Sequence, residues 1–165
     1  MYRLTVETRE TDIRAYPFGL AAAVHFQLEK GGETTFLNRH YGILFAEGEV
    51  SKDNTIIPLG IENPTIFHAD DGGIGIAGKR ILDSGSCHET DGDRLWAWKT
   101  RNLIRFETIG LVETDYVLER EIGRTMEVDD DLADAAIHFW NPPATAEDSL
   151  VTKYHFPLAK ATEIP

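Results

Sequence analysis

Side chains able to do chemistry are plentiful in one class and scarce in the others. The chain carries 28 Asp and Glu residues, six His and one Cys. Two carboxyl groups facing one cleft can act as general acid and general base, provided one is held protonated by burial or by a like-charged neighbour. So many acids cannot nominate a pair by composition alone, because most Asp and Glu are solvated at the surface. The histidines stand at 25, 40, 68, 88, 138 and 155, and none has the His-x-x-x-His spacing of a helical zinc site. His25 and His68 fall on expected strands, where each either lines a polar centre or is a satisfied structural residue. Cys87 has no cysteine to pair with, so neither an intrachain disulfide nor a cysteine zinc cluster is possible. Beside His88 in a polar loop it reads as a free thiol. Asp129-Asp-Asp131 lacks the alternate ligand spacing and turn glycine of a calcium loop and reads as a solvated acidic turn. No metal site is expected. Gly73-Ile-Gly75 lies inside a hairpin and opens no helix, so a dinucleotide site is not indicated. Trp96 and Trp98, two apart on an expected strand, share one face. That face either packs a core or stacks on a ligand.

The elements that must position these residues are mostly short strands. Residues 2–7 alternate apolar and polar, and 20–28 do the same through Val24, Phe26 and Leu28. Turn residues occupy 10–19 and 29–33, and 34–37 and 41–45 read as further strands, with an apolar pair at Ile56 and Ile57. Ala69-Asp-Asp-Gly-Gly73 is a strong hairpin signal between 62–68 and 74–81. A polar loop at 83–93 leads to strands at 95–98 and 104–112. This succession, with no long helical period, predicts an antiparallel all-β chain. From Glu113 to Asp134 nine acids face two bases. Within that stretch 117–122 can form a strand, and 135–140 fits either a helix behind Asp129–Asp131 or a strand, ended by Pro142-Pro143. One more strand is expected within 149–156.

With 165 residues and 42% apolar composition the chain is one globular domain. A net charge of −12 argues against nucleic acid and against an anionic membrane surface as partners. No run approaches the roughly 20 apolar residues of a membrane-spanning helix. The first residues lack a signal-peptide core, which fits a cytoplasmic chain unless an export signal is missing.

Two units align at an offset of about 70 residues: Phe26, Leu28 and Phe36 are spaced as Trp96, Trp98 and Phe106 are. Each is followed by a Gly–aliphatic strand, Gly42-Ile-Leu and Gly110-Leu-Val. Repeating antiparallel units of this kind suggest β-propeller blades. Asn63-Pro-Thr-Ile-Phe-His-Ala-Asp-Asp-Gly-Gly-Ile-Gly-Ile-Ala77, followed by Leu95-Trp-Ala-Trp-Lys-Thr-Arg-Asn-Leu-Ile-Arg-Phe-Glu107, resembles a blade of the five-bladed propeller glycosidases. The similarity is greatest to glycoside hydrolase family 43, the β-xylosidase and α-arabinofuranosidase group. Tyr16-Pro-Phe-Gly-Leu-Ala-Ala-Ala-Val-His-Phe26 with Asn38-Arg-His-Tyr-Gly-Ile-Leu-Phe45 resembles the opening blade of that group. The resemblance spans residues 2–125. Asn63 stands where the blade-opening Asp is found, and Thr100-Arg-Asn-Leu103 replaces the Ser-x-Asp-Leu turn.

The resemblance implies propeller-like blades: a first unit over 2–60, a second over 61–112, and a partial third unit or acidic tail over 113–165. Two to three blades are too few to close a ring, so an N-terminal portion of a longer enzyme is expected, with a β-sandwich-like domain as the alternative. It also implies hydrolysis of plant pentose polymers such as xylan or arabinan by a general acid and a general base, without a cofactor. In an inverting enzyme these carboxyls lie roughly 6.5–9.5 Å apart. The candidates are Asp12 with Glu119 or Glu121, each of which can equally be a surface acid. Trp96, Trp98 and His25 are candidate sugar contacts. The alternatives are a non-catalytic carbohydrate-binding module, and an interaction module that completes its open sheet edges with a partner or by self-association.

Overall fold

The computed structural model describes residues 1–10, 22–46, 49–50, 52–54, 56–57, 59–82 and 91–143. It is an all-β architecture of two antiparallel sheets, with two helices near the end of the described chain. The first sheet contains β1 (Tyr2–Glu10), β2 (Ala22–Lys30) and β3 (Glu33–Phe36). The second contains β6 (Gly60–His68), β7 (Ile74–Ile81), β8 (Arg94–Thr100) and β9 (Phe106–Glu113), a four-strand meander. Between them β4 (Glu49–Val50) and β5 (Ile56–Ile57) form a small ribbon.

Alternation decides which faces meet. In β1 and β2 the pairs Leu4–Leu28 and Val6–Phe26 point the same way. They pack against Ile61, Ile66, Ile74, Ile76 and Trp98 of the second sheet in one core. The second sheet is buried on its other face too, where Phe67, Ala77 and Ala97 pack with Val117 of α1 (Thr114–Leu118). The ring of Phe67 lies over Gly75, leaving no room there for a side chain. In β6 a bulge at Asn63-Pro64, with Asn63 in the left-handed region, lets odd-numbered Ile61 and even-numbered Ile66 both face the shared core.

After α1 the described chain returns to the two sheets already formed. β10 (Glu121–Gly123) pairs with β6, and β11 (Thr125–Val128) pairs with β1. One short run thus changes sheets at Gly123, whose φ of 126° favours glycine. The described part of the acidic stretch is therefore built into both sheets. The possible strand at 117–122 is corrected in the same way: its first part is helix α1, and pairing begins at Glu121. The expected strand at 41–45 is reduced to one bridge, Leu44 to Val24. The aligned residues fall on two hairpins, β2–β3 and β8–β9, at different phase: Phe36 sits on the outer face against His40, whereas Phe106 packs toward the core beside Phe26. The expected strand at 149–156 and Cys87 lie outside the described residues.

Helix α2 (Asp130–Trp140) resolves the ambiguity at 135–140. Asp130 and Asp131 in its first turn complement the helix dipole. Leu132, Ala133, Ala136, Ile137 and Trp140 recur at helical spacing and pack on the shared core. The helix stops at Asn141, ahead of two prolines. Tyr2 Oη donates to Asp134 Oδ1 at 2.7 Å, and Trp140 Nε1 donates to the Leu103 carbonyl at 2.7 Å, so α2 is tied to both sheets. Among the described residues no helix is long and apolar enough to cross a membrane.

One charge pair sits inside this frame. Arg80, at the end of β7, donates Nε to Asp91 Oδ2 at 2.8 Å and Nη2 to Oδ1 at 2.6 Å, and Asp91 is 0% exposed. The guanidinium also covers the Trp96 ring, 4.5 Å from its centre. Removing one partner of such a pair strands the other charge away from water, whereas replacing both by apolar groups costs far less. We expect Asp91→Ala to lower unfolding free energy by about 3–5 kcal/mol in urea titrations, and the double variant Arg80→Met/Asp91→Leu to lose markedly less.

Candidate functional site

The residues singled out from sequence do not converge. Asp12 lies outside the described residues. The Glu119 side chain is 74% exposed and pairs with Arg120 Nη1 at 3.5 Å. Glu121 is exposed on β10, where its Oε2 accepts from Thr65 Oγ1 at 2.7 Å. Neither has the buried, water-poor setting a general acid requires. Trp98 is 4% exposed and fills the shared core, and Trp96 packs on the same face beneath Arg80. Trp98 is thus part of the shared core, and Trp96 is partly buried against it. Two aromatics at period two fill a sheet interior well, and this core lies between two sheets rather than under one.

His25 is the exception. It projects from β2 on the face away from the core, opposite Glu7 of β1, yet it is only 5% exposed. Neither ring nitrogen makes a hydrogen bond of good geometry among the described residues, and the His40 backbone is near enough to favour the protonated ring slightly. Burial, reinforced by the nearby Arg9 charge, holds its pKa below the usual 6.5, with Glu7 opposing. Arg9 Nη1 contacts His40 Nε2.

His40 leads to a feature that sequence reasoning missed. Asn38, Arg39 and His40 all have positive φ, at 59°, 52° and 75°. Three successive non-glycine residues in that region cost of order 1 kcal/mol or more each unless the surroundings hold them. Here they are held from far along the chain. Asn141, just past α2, accepts from the Arg39 amide at 2.9 Å and donates Nδ2 to the Phe36 carbonyl at 2.8 Å. Arg39 Nη2 donates to the Pro142 carbonyl at 3.0 Å, and Asn38 Nδ2 to the Gly42 carbonyl at 3.1 Å. The His40 ring lies 3.8 Å from that of Phe36. Large aromatics are partly exposed on both segments of this seam: Tyr41 is 56% exposed, Phe45 40%, and Phe139, edge-on to Trp140, 54%. Asn38 alone gave a sequence signal, since asparagine tolerates the left-handed region. Arg39 and His40 gave none.

Along this seam Tyr41 directly follows Arg39 and His40 in the chain, and Phe139 lies two residues before Asn141, which holds Arg39. Among the described residues the seam presents no nucleophile with an adjacent base, and no three His, Cys, Asp or Glu side chains are placed to hold a metal ion. Exposed aromatic rings next to polar side chains are groups that can contact a polar ligand with an apolar face. Comparison with protein-family models, with curated proteins and with solved structures finds no match for this chain.

The sign of the His25 effect follows from its lowered pKa. The unfolded chain takes up the proton more readily than the fold does, so stability is intact above about pH 6.5 and declines as pH falls toward the folded pKa. In urea unfolding at pH 7.5 and pH 5, His25→Phe should lose less stability on acidification than the wild type. Equal losses would remove His25 from the account.

Proposed function

We propose that this chain is a carbohydrate-recognising portion of a glycoside hydrolase of the family 43 kind, directed at plant pentose polysaccharides or their oligosaccharides. The observation that carries the reading is the seam: exposed Tyr41 and Phe139 on the two segments that Arg39 and Asn141 join, aromatic faces of the kind that take a sugar's C–H face. The residues that resemble a propeller blade, 63–77 and 95–107, lie on the β6–β9 meander, which is consistent with that origin.

Hydrolysis needs two convergent carboxyls. Among the described residues the one fully buried carboxylate, Asp91, is engaged by Arg80. The reading therefore assigns sugar binding to the described residues and places hydrolysis with carboxyls outside them. A second reading, docking of a partner strand, is favoured by β9, an eight-residue edge strand with Ile109 40% exposed.

Calorimetric titration with xylo- and arabino-oligosaccharides tests the proposal. Binding should weaken by about tenfold in Tyr41→Ala and in Phe139→Ala, the scale of one lost stacking contact. Absence of binding to either series, or unchanged binding in both variants, would overturn it. A wild-type chain that binds no sugar and self-associates through β9 would favour the second reading.

A further inference from the structure

A second recess, independent of the seam's aromatics, opens at the β8–β9 hairpin. It is a cavity of about 300 Å³, and Asp71, Lys99, Arg101, Arg105, Phe106 and Glu107 line it. In a chain of net charge −12, this wall carries three cations against two carboxylates. Lys99 and Arg101 lie 3.4 and 3.6 Å from Asp71 Oδ2, and Lys99 lies 3.8 Å from Glu107. The Arg105 guanidinium pairs with no carboxylate among the described residues, so one fork of donors remains uncommitted.

The frame around it is fixed. Thr100 Oγ1 donates to the Arg105 carbonyl at 2.7 Å and accepts from the Leu103 amide at 2.9 Å. Asn102 Oδ1 accepts from the amides of Ile104 and Arg105, both at 2.9 Å. An amide thus stands where the resembling blades carry an aspartate in this turn, and the recess is one negative charge less acidic for it. The Gly73 amide, followed by Lys99 and Arg101, holds the Asp71 carboxyl below its ordinary pKa, so it stays an acceptor.

We propose that this recess is a subsite for a carboxylate-bearing sugar, a hexuronate residue, gripped by the Arg105 fork beside Arg101, whose Nη2 is held on the Asp71 backbone carbonyl at 2.6 Å. This rests on the carbohydrate reading and deepens it. An arginine fork matches a planar carboxylate in two parallel hydrogen bonds. Asp71 and Glu107 are placed to accept from ring hydroxyls, and half-buried Phe106 adds an apolar wall that an inorganic anion would not use. The subsite is joined to the seam through the last turn of α2: Trp140 holds the Leu103 carbonyl, and the next residue, Asn141, holds Arg39. One oligosaccharide carrying both neutral and acidic residues could engage both.

The test is a titration followed by amide NMR, with digalacturonate, xylobiose and sodium acetate as separate probes. Digalacturonate should shift the amides of residues 101–107, at least tenfold more weakly in Arg105→Ala and in Arg101→Ala, while acetate at equal concentration leaves them in place. No shift there with digalacturonate overturns the proposal, even if xylobiose moves residues 38–45 and so upholds the seam. Acetate acting as strongly as digalacturonate also overturns it, leaving a plain anion site. If neither sugar moves residues 36–45 while digalacturonate still moves 101–107, the subsite stands and the seam reading fails.

Discussion

The fold depends on one short run of backbone that belongs to both sheets. From Glu121 to Val128 the chain hydrogen-bonds first to β6 and then to β1, turning at Gly123. Two sheets stapled in this way cannot slide apart without breaking ladder hydrogen bonds on each side. The Val6 amide, bonded to the Arg124 carbonyl at 3.1 Å, fastens the corner itself. With the spacing fixed, the inward faces of β1, β2, β6, β7 and β8 fill one apolar core.

Helix α2 follows directly from that corner and inherits its position. It closes the core with Ala133 and Ala136, small enough to let the helix approach closely, and it delivers Trp140 and Asn141 to two different loops. The backbone strain at residues 38–40 is affordable only because Asn141 arrives there. The uncommitted arginine at the β8–β9 hairpin likewise sits on a loop whose apex Trp140 holds. Both candidate binding surfaces are thus loops given a single shape by the same helix end, which is what recognition of a polar ligand needs: the ordering cost is met in folding rather than on binding.

Much of the sheet framework is legible in the sequence because local signals agree there. Period-two patterning marks 2–7, 20–28 and 95–98, and Asp-Asp-Gly-Gly fixes the hairpin before Ile74. The corner is not legible. Glu121, Arg124 and Glu127 make the run look solvated, since as a strand between sheet edges it fully buries only Val128, with Ile122 and Met126 partly covered. The segment 41–45 looks like a strand, but only Leu44 finds a partner. Patterning cannot say whether a neighbouring strand has a free edge. The tryptophans announce a shared face without telling whether that face meets water or a second sheet. At the seam His25 was visible as an oddity on a strand, but its neighbours depend on Asn141, about a hundred residues away. No spacing rule links those positions.

Two sheets joined by the corner and capped by α2 should open as one cooperative unit, which native-state amide hydrogen exchange measures strand by strand. The slowest amides of β1, β2, β6, β7 and β8 should share one opening free energy, equal to that of global unfolding. If β1 and β2 open at a distinctly lower free energy than β6–β8, the sheets are separable units, and neither the seam nor the hairpin subsite would be held as described.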